Sequence, residues 1–88
     1  MKVTLKDGFV LEVADNAADN MELVDALAEM QEEDPLAVSR VCLLVVGKPQ
    51  RKALYDHLRG EDGRVPVAVV NDALTEIFAA LGGAGKNS

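Results

Sequence analysis

The first apolar positions fall in two β-prone runs, Val3-Thr4-Leu5 and Phe9-Val10-Leu11-Glu12-Val13, split by Lys6-Asp7-Gly8. Asp-Gly between such runs signals a β-hairpin turn, because glycine accepts positive φ without steric cost. A three-residue loop ending at Gly8 sets Leu5 opposite Phe9 and Val3 opposite Leu11. All four then share one face. A two-residue turn would split them between faces, so the longer loop is preferred. Two strands alone are marginal in water, so that face must pack on helices.

After a polar connection, Ala14 to Asp19, the period changes. Leu23, Val24, Leu27 and Met30 recur at helical spacing, with Met21 extending the stripe and Asn20 or Asp19 as cap. Glu22, Asp25, Glu29 and Glu32 take the other side, and the helix should stop near Glu33. Asp34-Pro35 starts a second helix: Asp34 supplies a capping oxygen, and Pro35 has no N–H to leave unpaired. From Leu36 to Val46 only Ser39 and Arg40 are polar, which places this segment in the centre of the fold. Residues 41–46 also fit a buried strand, but the Asp-Pro start and the Gly47 stop favour helix. Lys48-Pro49 restarts the chain. Ala53, Leu54 and Leu58 form the narrow apolar side of a third helix that Gly60 can close, and Lys52 can pair with Asp56 four residues on. Pro66 opens a last helix with Val67, Val70, Leu74, Ile77, Phe78 and Leu81 as its stripe and Gly82-Gly83 as its end. The pattern predicts an α+β fold, mostly α: an N-terminal hairpin and about four helices in a small bundle. Residues 1–82 form one domain, and 83–88 a flexible tail.

Length and composition sharpen this picture. The chain has 88 residues, of which 49% are hydrophobic but only 3% aromatic, so the core must be aliphatic. Such a small domain buries only about 60–65% of its unfolded surface. The net charge of −6 argues against nucleic acid, whose phosphates demand clustered cations. The charge is also polarised. Between Asp7 and Asp34 there are ten acids and no Lys or Arg, while Lys48 to Arg64 holds five bases against three acids. These are two solvated faces or a surface that guides a partner or a second copy of the chain. No leader peptide and no membrane span are expected, because no apolar run is long enough. The single Cys42 permits no internal disulfide, and a reducing, cytoplasmic compartment fits best.

Motifs for chemistry are sparse. Cys42 lies in an apolar run, where a thiol is an unreactive small hydrophobe. His57 is the only histidine; Asp56 beside it could orient a base, yet no nucleophile stands near. One His and one Cys do not make a zinc site. The acids Asp25, Glu29, Glu32, Glu33 and Asp34 lack the spacing of a calcium loop and read as a solvated face. The glycines after Leu81 follow a helix and precede none, unlike a phosphate loop. No catalytic, cofactor-binding or metal-binding residue is assigned. Tyr55, the sole tyrosine, packs its ring with its hydroxyl toward water or a turn carbonyl, or contacts a partner. A helix-turn-helix around Gly47 would make 49–59 a recognition helix, which the acidic balance disfavours.

The Asn20-Met21-Glu22-Leu23 helix start, Ser39-Arg40-Val41, Leu54-Tyr55-Asp56-His57-Leu58 and Gly63-Arg64-Val65-Pro66 resemble the small tail assembly chaperones of long-tailed phages and prophages of Gram-positive bacteria. The resemblance covers roughly residues 20–81. It implies a non-enzymatic protein that keeps the long tape measure protein soluble, helps recruit tail tube subunits, and is absent from the mature virion. It implies no catalytic residues. Many such chaperones also have a longer form made by −1 frameshifting, and Gly85-Lys86-Asn87 can be encoded as GGA AAA AAC, which contains a slippery heptamer. On this reading the 88-residue chain is the short product. A client helix would lie in a groove walled by the first and last helices, with Leu23, Leu27 and Tyr55 as contact residues. The alternatives are a small cytoplasmic adaptor that binds one regulatory protein and, more remotely, a transcriptional regulator.

Overall fold

In a computed structural model, which describes residues 1–32 and 34–85 (the last four by backbone alone), the hairpin β1 (Lys2–Thr4) and β2 (Val10–Glu12) precedes four helices. These are α1 (Met21–Gln31), α2 (Pro35–Val46), α3 (Lys48–Leu58) and α4 (Val67–Gly85). The fold is α+β and mostly α. Its radius of gyration is 12.6 Å, close to the roughly 12 Å of a compact chain this long.

The antiparallel register places Val3 against Leu11. Leu5 N–H donates to the Phe9 carbonyl, and Gly8 N–H donates back to the Leu5 carbonyl at 2.9 Å. This is the three-residue loop. Gly8 sits at φ +93°, where a side chain would be strained. Val3, Leu5, Leu11 and Val13 are buried on the shared face, with Phe9 packed at its edge.

Helix α2 is the hub. It packs on α1, α3 and α4, while α3 also touches α4. The Asp34 side chain accepts from Leu36 N–H at 3.0 Å, Pro35 occupies the first turn, and Gly47 closes the helix at φ +82°. Residues 41–46 are therefore helical. Gly47 ends α2 and begins α3: its N–H donates to Leu43, and its carbonyl accepts from Arg51. Its φ of 82° and ψ of 163° lie in a region open essentially to glycine alone. Ala37, Val38, Val41, Cys42, Val45 and Val46 are buried. The hub is not hidden all round, however, for Leu36 is 79% exposed and Leu43 lies partly open.

The stripes differ from expectation at their edges. On α1, Asn20 is the cap, and Leu23 and Ala26 are the buried residues; Met21 and Val24 point outward. On α3 only Leu54 is buried, Leu58 is half-buried, and Ala53 is exposed. On α4, Val70, Ala73, Leu74, Ile77 and Leu81 face inward, and Val67 is exposed. Ala26 and Ala73 lie on the inward sides of their helices, while Val24 and Val67 lie outside them. Helix α4 runs through Gly82 and Gly83 to Gly85 instead of ending at the glycine pair. A helical glycine costs only about 1 kcal/mol relative to alanine, less than a proline stop. Glu33, the expected end of α1, and 86–88, the last part of the expected tail, lie outside the described residues. Within them α1 ends at Gln31 with Glu32 as its cap.

Candidate protein-binding site

The residues considered for chemistry are dispersed. Cys42 is fully buried on α2. Burial pushes its thiol up to about 11, with Arg51 opposing weakly, so the thiolate is scarce at neutral pH. His57 turns away from Asp56 and toward the hairpin. Its Nε2 lies 2.7 Å from Asp7 Oδ2, and its ring stacks on Phe9 at 4.3 Å. That hydrogen bond, helped by the Phe9 N–H, holds the Asp7 carboxyl below its ordinary value. Asp56 instead pairs with Arg59 at 2.9 Å and Lys52 at 3.3 Å, Arg59 being the main cause of its lowered pKa. Thus the sequence neighbours Asp56 and His57 serve two separate polar ties. Among the described residues, no group of three His, Cys, Asp or Glu is placed to hold a metal ion. Glu29 of the acidic run is bound to Arg40 at 2.8 Å.

Part of the exposed apolar surface lies where three helices meet. Met30 from the end of α1, Asp34, Pro35 and Val38 from the start of α2, and Val67, Ala68 and Asn71 from the start of α4 line a groove of about 300 Å³. A second recess of about 170 Å³ continues from it over Ser39, Tyr55, Val65 and Val70, sharing Pro35, Val38 and Val67. Leu36, Val67 and Val69 are exposed nearby. The geometry follows from the caps. Proline at the first turn of α2 and Pro66 before α4 start both helices at the surface. The first apolar residue of each therefore lies beyond the closed core. Helix α1 contributes only Met30 to the lining, and the starts of α2 and α4 supply the rest.

The contact residues named from sequence are not all there. Leu23 is 1% exposed and belongs to the core. It sits opposite the acidic side of α1, so a helical-period reading could not tell core from groove wall. Leu27 is half-buried against the core and lines neither recess. Tyr55 lines the second recess. Sequence reasoning missed Pro35, Val38 and Val67 as lining residues. The available signal was the surplus of apolar residues on α2, more than one buried side can take.

A third concavity, about 480 Å³, lies along α3 between Lys48, Pro49, Arg51, Lys52, Tyr55, Asp56 and Arg59. Four cations surround one carboxylate there, in a chain of net charge −6. Arg51 also donates to Ser39 Oγ at 3.2 Å, fixing α3 to α2 beneath the groove.

Comparison with protein-family models, curated proteins and solved structures finds no match. No helix among the described residues is long and apolar enough to cross a membrane.

Proposed function

We propose that the chain is a tail assembly chaperone of a phage or prophage, acting by binding protein and not by catalysis. It holds a helical segment of the tape measure protein in the α1–α2–α4 groove and helps bring tail tube subunits to it. The observation that carries this reading is the groove lined by Met30, Pro35, Val38, Val67 and Ala68, with Val67 exposed in it and Leu36 exposed next to Pro35. An amphipathic helix covers such a groove by laying an apolar face along it. The sequence resemblance supplies the identity of the client. The acids on the exposed side of α1 keep the loaded complex soluble.

The test is co-expression with the tape measure product of the neighbouring gene. Capture by the wild-type chain is expected, with loss in a Leu36→Asp, Val67→Asp chain. Both sites are exposed, so the variant keeps its fold. Leu23 is unsuited to this test, because a charge there would unfold the core. Capture unchanged by the double substitution would remove the groove. A gene with no tail tube and tape measure neighbours, or a wild-type chain that captures nothing, would remove the chaperone reading. The frameshift proposal is checked by the codons at Lys86-Asn87, where a run of A and an overlapping −1 frame are expected.

A further inference from the structure

Two exposed surfaces of this chain are opposite in charge. The first is the outward side of α1. Met21, Val24 and Ala28 follow one another at helical spacing there and are exposed, Met21 to 69% and Val24 to 46%. Exposed Glu22, Asp25 and Glu32 flank them. This is an amphipathic face turned away from the core, since Leu23 and Ala26 fill the inward side. The second is the α3 groove, whose Pro49 and Tyr55 offer apolar surface between cationic Lys48, Arg51, Lys52 and Arg59.

We propose that α1 of one copy docks in the α3 groove of another. The apolar stripe lies on Pro49 and Tyr55, and Asp25 and Glu32 meet the lysines and Arg59. Charge selects this arrangement. Two copies of net charge −6 repel in most orientations, and setting α1 against α3 is the one that brings opposite signs together. The two surfaces are different patches, so the contact is heterologous. Each docked copy still presents a free groove, and assembly continues past two. One helix in one groove is at the small end of interfaces, below about 1,200 Å² in total, so association is weak and salt-dependent. Tyr55 borders both the α3 groove and the recess beside the α1–α2–α4 groove, but Pro49 and the four cations do not line the latter, so the proposal stands whether or not that groove binds a client.

Analytical ultracentrifugation of the purified chain tests it. At about 10 mM salt, where the Debye length is near 30 Å, the average mass should rise with protein concentration. At about 1 M salt, where it is near 3 Å, the chain should return to monomer. A Lys48→Glu, Lys52→Glu chain should stay monomeric, and so should an Asp25→Lys, Glu32→Lys chain. The native α1 of one fits the native groove of the other, and the two reversed surfaces are also opposite in charge, so mixing the chains should restore association. A Lys2→Glu, Lys6→Glu chain carries the same net charge as the groove variant but leaves the groove intact, and it should still associate. These positions are exposed, and circular dichroism checks that each variant is folded. A wild-type chain that is monomeric throughout overturns the proposal. So does association that either reversed chain retains, a mixture that does not pair, or equal loss in the Lys2, Lys6 control.

Discussion

Helices α2 and α3 are joined at Gly47 and nearly equal in length, 12 and 11 residues, yet they are held in the fold by different forces. Helix α2 buries six side chains, all apolar. Helix α3 buries one, Leu54, and is otherwise fastened by polar side chains. The Gln50 amide accepts from Glu12 N–H at 2.7 Å and donates to the Glu12 and Val46 carbonyls. It thereby takes the place of a neighbouring strand along the outer edge of β2. His57 ties to Asp7 in the hairpin loop, and Arg51 to Ser39 on α2. Hydrophobic burial is non-directional and proportional to area, so α2 tolerates changes of detail but no charge. Polar ties need particular atoms at particular distances and respond to pH. The hub is thus a matter of composition and the clasp a matter of individual residues. The side of α3 facing solvent stays free to carry cations.

The largest effect should separate the two helices directly. Val41 on α2 is 0% exposed, so Val41→Asp should abolish the cooperative thermal transition, because it leaves an unpaired buried charge. Ala53→Asp on exposed α3 should change stability by no more than about 0.5 kcal/mol. Similar losses at both would break the comparison. Next comes Leu54→Ala, which removes the one buried anchor of α3 and should cost about 2–5 kcal/mol in urea unfolding. A loss under 1 kcal/mol would mean that the polar ties alone hold the helix. Gln50→Ala should cost about 1 kcal/mol and speed hydrogen exchange at the Glu12 amide. Unchanged exchange there would contradict the clasp.

The smallest effect is that of pH. Asp7 has its folded pKa lowered from 3.8 by His57. A lowered carboxylate contributes stability that is present above the unfolded value and lost as pH falls through the folded one. The melting temperature of the wild type should therefore drop more than that of Asp7→Asn as pH goes below about 4. Equal slopes would show that the tie is not formed in solution.

The same contrast explains what the sequence made legible. The hairpin loop was readable because Leu5 and Phe9 share a face in only one of the two turn lengths. Helix α2 was readable because Asp34-Pro35 and Gly47 mark both ends by backbone chemistry. Side-chain period located the helices but not their edges: Ala26 and Ala73 are buried while Val24 and Val67 are exposed, a difference set by tertiary placement. The clasp was invisible, since Asp7 and His57 are fifty residues apart in sequence and nothing local to either predicts the other. Of the residues named from sequence, Tyr55 lines a recess and Leu23 is core, and Val38 and Val67 emerged as lining residues only when two helix starts were brought together. The α3 cations were legible as charge, but the groove they line was not.

The account depends most on the groove at the helix starts, and NMR tests it most directly. The isotope-labelled chain is titrated with peptides covering the apolar helical segments of the tape measure product that the proposed function expects from a neighbouring gene. The account expects amide shifts confined to Met30, Pro35-flanking residues, Val38, Tyr55 and the Val67–Asn71 turn, and their loss in Val67→Asp. Shifts that avoid those positions, or a spectrum left unchanged by every peptide, would contradict it.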